Sequence, residues 1–229
     1  MNYKSLLVKL FELSDQKFAS FSKTLSNSDY KVIGVKNPVL RSLIKEHKND
    51  AELALDDFAL GEYLEVDFIY FGLALSRLNN IDDQLLFLET NIKNAKSWAI
   101  TDTVTTYLKK CSFDKYWSFF LKMYNSSFTY DRRFTYVYGL KFYKDKNILK
   151  ILDYINRNEE YMVMMAEAWL LATIAISFPN EIFAFLEDLN DISLKRKTIS
   201  KICDSYRFDQ ETKSNFKTLR WTSELNIDM

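Results

Sequence analysis

Two tryptophans, one aspartate and a pair of arginines are the residues in this sequence whose types and spacing suit chemistry. In Ser97-Trp98-Ala99-Ile100-Thr101-Asp102 the tryptophan and the aspartate are four positions apart. On a helix that spacing puts an aromatic plate and a carboxylate on one face. Aspartate is a poor residue for a helix interior, so its place one turn after Trp98 asks for a reason. Function is one. The other is structural, with Trp98 packed in the core and Asp102 capping a neighbouring backbone or pairing with a lysine. Further along, Asp131-Arg132-Arg133-Phe134 opens a second helix, with Asp131 as its expected cap. The two arginines begin different faces. One turned inward can hold a phosphate in its planar fork or pair with Asp102 as a structural bridge. Trp169 lies on an apolar stripe of Tyr161, Met164, Met165, Ala168, Ala172 and Ile176, which predicts a well-buried helix.

These residues need a scaffold, and the composition points to helices. The chain has 229 residues with 48% hydrophobic and 27% charged, enough apolar material for a sizeable core. It has 4 glycines and 2 prolines, too few for the turns of a strand-rich fold. Polar clusters, including Ser26 to Asp29, Asn79-Asn80 and Arg157 to Glu159, cut the apolar periodicity into short helices. Helices are expected near 3–25, 38–47, 50–58, 62–78, 81–92, 96–110, 113–124, 129–143, 147–156, 160–176, 180–187, 193–204 and 208–218. Helix pairs recurring every 35 to 45 residues or so predict an all-α, curved α-α superhelix of the HEAT or armadillo type. The alternative is a compact irregular bundle. No linker divides the chain, so one continuous domain over 1–229 is expected.

Several classes are disfavoured. There is no P-loop, dinucleotide fingerprint, HExxH or nucleophile elbow. Cys111, Cys203 and His47 are too few for a cysteine/histidine zinc site or a disulfide framework, so no metal and a reducing cytoplasm are expected. The apolar run from Trp169 to Phe178 is about half a bilayer span, and Lys9 and Glu12 break the N-terminal run where a signal peptide would need continuity. Formal net charge is zero, yet its distribution is uneven. Residues 51–92 hold one basic and nine acidic side chains, residues 93–150 twelve basic and four acidic. Solvated helix faces and a basic binding surface both fit that pattern.

The ordered set of motifs resembles the HEAT-like DNA alkylation repair glycosylases, the AlkD-like family. Tyr30-Lys31-Val32-Ile33-Gly34-Val35-Lys36-Asn37-Pro38-Val39-Leu40-Arg41 is similar to the family's N-terminal signature, and Lys197 to Arg207 to its C-terminal one. Trp98 and Asp102 resemble its tryptophan and catalytic aspartate, Arg133 its phosphate-side arginine, and Trp169 its second pocket tryptophan. The resemblance implies cofactor-free excision of cationic alkylated purines, such as 3-methyladenine and 7-methylguanine, from double-stranded DNA by a monomeric enzyme of the bacterial cytoplasm, with Arg132, Lys96, Lys109 and Lys141 as candidate DNA-backbone contacts. It implies a shallow, positively charged surface in place of a deep pocket for a flipped base. A HEAT-like solenoid that binds DNA or a protein partner without catalysis is the alternative.

Overall fold

The computed structural model describes residues 1–26, 28–155 and 160–219. Asn27 and the polar cluster Arg157 to Glu159 lie outside them. All the regular elements among the described residues are helical, with no strand; the only extended pairing among them is a single bridge between Lys31 and Tyr63. They fall into two compact units, residues 1–111 and 112–229, the second described to residue 219.

The first unit holds α1 (Tyr3–Glu12), α2 (Gln16–Ser26), α3 (Asn37–His47), α4 (Leu64–Arg77), α5 (Ile81–Asn91) and α6 (Trp98–Val104). The single helix expected over 3–25 is broken after Glu12. Asp15 is the reason: its carboxylate accepts from the Phe18 amide and its own amide donates to the Gly34 carbonyl, so it caps α2 and cannot continue α1. The helix expected over 50–58 shrinks to a 3-10 turn at Leu55–Asp57. Pro38 stands in the first turn of α3, where its missing N–H costs nothing. Helix α4 is the centre of the unit and packs on α3 and α6. Its core is mostly aliphatic: Leu6 and Leu10 from α1, Leu40 and Ile44 from α3, Val66 and Leu73 from α4.

The second unit holds α7 (Phe113–Met123), α8 (Thr129–Gly139), α9 (Tyr161–Ile174), α10 (Pro179–Asp188), α11 (Ile192–Asp204) and α12 (Gln210–Thr218), with a long 3-10 segment at Lys146–Tyr154 where 147–156 was expected to be α-helical. Ser112, Asp191 and Asp209 cap α7, α11 and α12 by accepting from the amide three residues on. The contacts run α7 to α8, α8 to α9, α9 to α11 and α11 to α12. Helices that touch both the next element and the one beyond it are what stacked helical repeats produce. The all-α, helix-on-helix class expected from the sequence is therefore the one observed. The core here is aromatic, with Phe120 of α7 against Trp117, Tyr136 and Tyr154 at ring separations of 5.0, 5.6 and 5.5 Å.

Candidate functional site

Helix α6 is short, and three side-chain contacts outside it fix its place. Ser97 caps it by accepting from the Ala99 amide at 3.3 Å. The Trp98 indole Nε1 donates to the Leu25 carbonyl at 3.0 Å, tying α6 to the last turn of α2. The buried Tyr30 hydroxyl donates to Asp67 and accepts from the Lys96 amide at 3.3 Å, holding the loop that leads into α6. Asp67 also receives the Gly61 amide on both oxygens, at 2.9 and 3.2 Å. Burial holds the Asp67 carboxyl above its usual range; the Tyr30 hydrogen bond, the Gly61 amide and the Lys96 charge pull the other way.

A second buried carboxylate shapes the floor. Glu65 accepts from three successive amides, Ile33 at 3.0 Å, Gly34 at 2.7 Å and Val35 at 3.3 Å. Gly34 has φ +100°, and a Cβ there would stand 2.4 Å from the Asp15 carbonyl oxygen, so this turn needs glycine. The segment 30–35 is thus bound to α4 without being a strand.

Between α2, α4 and α6 is a cavity of about 270 Å³. The α2 wall is Phe18, Phe21, Ser22 and Leu25, one helical stripe, and the α6 wall is Trp98, Ala99, Asp102 and Thr103. Trp98 and Asp102 therefore share a face, as their spacing predicts, and both are half-buried. The Asp102 carboxylate accepts from the Thr101 hydroxyl at 3.2 Å. Lys96 and Lys109, which flank α6 in sequence, are exposed.

In the second unit the pair of arginines divides. Arg133 is buried, and its Nη1 donates to the Met162 carbonyl at 2.6 Å, which fastens α8 to α9. Arg132 is more open; it donates to the Ser126 carbonyl at 2.7 Å and to Glu160 at 3.2 Å. Asp131 is not the cap the sequence predicts. It is inside the first turn of α8, buried, and accepts from the Ser126 hydroxyl, while the cap position is Phe128. On α9 the expected stripe is buried only in part: Ala168 and Ala172 are buried, and the helix is well buried, but along another side as well. Tyr161 and Trp169 are exposed and Met164 and Met165 half-buried, whereas Val163, Ala166, Glu167, Leu170 and Ile174 are buried. Lys141 is exposed, with its ammonium 5.9 Å from the Tyr138 ring centre.

A family model described as DNA alkylation repair enzyme matches residues 6–203. The chain belongs to that family. No curated protein and no solved structure matches it. Membership in the DNA alkylation repair enzymes gives the protein a role in alkylation repair, with DNA as its partner. No described helix is long and apolar enough to cross a membrane, and no group of three or more His, Cys, Asp or Glu among the described residues could hold a metal ion.

The residues that sequence reasoning missed are Glu65, Asp67 and the α2 stripe. Both carboxylates fall in the acidic segment 51–92, where they look like solvated charge. Tyr30 and Gly34, in the N-terminal signature, were the available signal: the first holds Asp67 and the second donates to Glu65.

Proposed function

We propose that this protein is a DNA glycosylase that hydrolyses the N-glycosidic bond of cationic alkylated purines, 3-methyladenine and 7-methylguanine among them, in duplex DNA. The observation that carries the reading is Asp102, a carboxylate that is half-buried beside Trp98 on the wall of a cavity, in a chain that belongs to the alkylation repair enzymes.

An alkylated purine already carries positive charge, so it leaves with little help from a general acid. As the bond breaks, positive charge develops on the sugar. A carboxylate at the Asp102 position stabilises that oxocarbenium-like centre and orients the attacking water, as carboxylates do in glycoside hydrolysis. Its partly desolvated setting strengthens the field it exerts. The indole face of Trp98 attracts an electron-poor base by about 0.5–2 kcal/mol, and Trp169, exposed on α9 of the second unit, has an open aromatic face of the same kind. The two arginines take different parts. Arg132, the more open, meets a backbone phosphate; Arg133 sets α8 against α9. Lys96, Lys109 and Lys141 add phosphate contacts, so binding weakens with salt by about 0.9 in the log-log slope for each phosphate neutralised.

The test is single-turnover release of 7-methylguanine from methylated duplex DNA. Asp102→Asn keeps size and removes charge. It is expected to slow release by about 100-fold or more, the scale of losing one preorganised electrostatic contact, while affinity for DNA stays the same or rises slightly. Equal rates remove Asp102 from the mechanism. A wild-type protein that binds duplex DNA and releases nothing is a non-catalytic solenoid.

A further inference from the structure

In the second unit, the turn that joins α11 to α12 carries Arg207, an exposed arginine that is nevertheless held in place. Its guanidinium carbon stands 4.8 Å from the centre of the Tyr143 ring, which belongs to a different connection, after α8 and its 3-10 turn at Leu140–Phe142. The Ser205 hydroxyl accepts from the Arg207 amide at 3.2 Å and steadies the turn itself. The Lys144 ammonium is 5.6 Å from the centre of the same ring. One half-buried tyrosine therefore gathers two exposed cations from connections far apart in the chain. Each contact is of the cation-π kind.

Neither cation has a counter-ion. Among the described residues the Arg207 guanidinium and the Lys144 ammonium make no hydrogen bond and no ion pair. The carboxylates nearest to them in the chain are engaged elsewhere. Asp145 accepts from the Asn147 amide at 2.9 Å, Asp209 from the Thr212 amide at 2.7 Å, and Asp204 is 3.5 Å from the Ser200 hydroxyl. Two like charges at one ring repel each other, and an anion between them turns that repulsion into attraction. A guanidinium presents a planar fork to two phosphate oxygens, and an ammonium adds a point charge. Because the ring already restrains Arg207, less side-chain freedom is lost when the anion arrives. Lys141 and Lys146, on either side of Lys144 in the sequence, are exposed too. A row of cations fits a polymer with a phosphate at every step better than it fits a single small anion.

We propose that Arg207 and Lys144, held at Tyr143, clamp one backbone phosphate of duplex DNA. None of the three is among the contacts that the resemblance implies, and the clamp extends the DNA-binding surface from Lys141 to the turn between α11 and α12. A phosphate carries no information about the bases, so the clamp grips undamaged and damaged duplex alike. It does not rest on the glycosylase reading, only on DNA as the partner.

The test is fluorescence anisotropy with an undamaged duplex oligonucleotide over a range of salt. Arg207→Gln, at an exposed position that leaves folding intact, is expected to weaken binding about eightfold at about 0.1 M salt and to lower the log-log salt slope by about 0.9, the value of one phosphate. Lys217→Gln removes the same charge at another exposed position, on α12, and is expected to leave the slope nearly unchanged. Arg207→Lys keeps the charge without the fork, and Tyr143→Leu keeps both charges without the ring that gathers them. Each is expected to weaken binding about threefold with the slope preserved. A wild type that does not bind the duplex at low salt, an unchanged slope in Arg207→Gln, an equal fall in Lys217→Gln, or full affinity in both Arg207→Lys and Tyr143→Leu overturns the proposal. Binding through Arg207 by a protein that releases no 7-methylguanine keeps the clamp and sinks the glycosylase reading. Release of 7-methylguanine alongside an unchanged slope in Arg207→Gln does the reverse.

Discussion

Helices α6 and α9 each carry a tryptophan and a carboxylate, and the two side chains relate to their surroundings in opposite ways. In α6 they are four residues apart and line one cavity together, both half-buried. In α9, Glu167 and Trp169 are two apart, so they point to opposite sides: Glu167 is 1% exposed and Trp169 39%. The surrounding units differ in the same sense. Residues 1–111 pack an aliphatic core and leave a cavity at its edge, while the aromatic side chains of α7 and α8 close on one another. The difference teaches that spacing on a helix decides which groups can act on one ligand, and that the openness of the packing decides whether a ligand can reach them.

The largest effect that would test this contrast is on stability. Phe120 is fully buried and touches Trp117, Tyr124, Tyr136 and Tyr154. Phe120→Ala is expected to cost about 3–5 kcal/mol in urea unfolding, whereas Phe21→Ala, on the cavity wall, is expected to cost less than about 1 kcal/mol. Similar losses at both positions would mean that the α2 wall is packed after all.

A smaller effect separates two glycines at helix crossings. A Cβ on Gly139 would meet the Tyr116 hydroxyl at 2.6 Å, and Tyr116 is wedged between Phe142 and Tyr138, so it cannot yield. A Cβ on Gly72 would meet the tip of Ile44 at 2.4 Å, a side chain that can change rotamer. Gly139→Ala is expected to destabilise by about 1–3 kcal/mol. Gly72→Ala should cost less, because the gain in helix propensity, about 1 kcal/mol, offsets the shift of Ile44. Thermal unfolding of the two variants side by side checks the order.

The smallest effect is on pH dependence. The folded Asp67 carboxyl titrates above its ordinary value of 3.8, chiefly because it is buried. The folded chain then holds that proton more tightly than the unfolded chain does. The associated stability is fully present below the ordinary value and is lost as pH rises through the raised one. Asp67→Asn lacks this dependence. Relative to the variant, the wild type is therefore expected to be more stable near about pH 4 than near about pH 7, as read from urea midpoints. A constant difference would show that Tyr30 and Gly61 fully offset the burial.

Much of this was legible in the sequence because helical periodicity and scarce glycine and proline act locally. The shared face of Trp98 and Asp102 follows from a spacing of four, whatever surrounds it. The orientation of α9 did not follow, since Tyr161 to Ile174 is apolar on nearly every side and such a helix has no moment to orient it. The break at Asp15 was hidden because its partners are the nearby Phe18 amide and the Gly34 carbonyl, nineteen positions away in the chain. The roles of Glu65 and Asp67 were hidden for the same reason. Their partners lie in the segment 30–35 and at Gly61, and a charge count cannot tell a paired carboxylate from a solvated one.

The grip of Glu65 on the amides of Ile33, Gly34 and Val35 has a consequence in hydrogen exchange. Amides outside helices and strands usually trade their protons with water quickly, through local opening. These three cannot open singly, because one buried carboxylate on α4 holds them all. Their deuterium uptake should therefore be slow, and it should rise for the three together when α4 itself lets go, marking an irregular stretch of chain as part of the most persistent unit in residues 1–111.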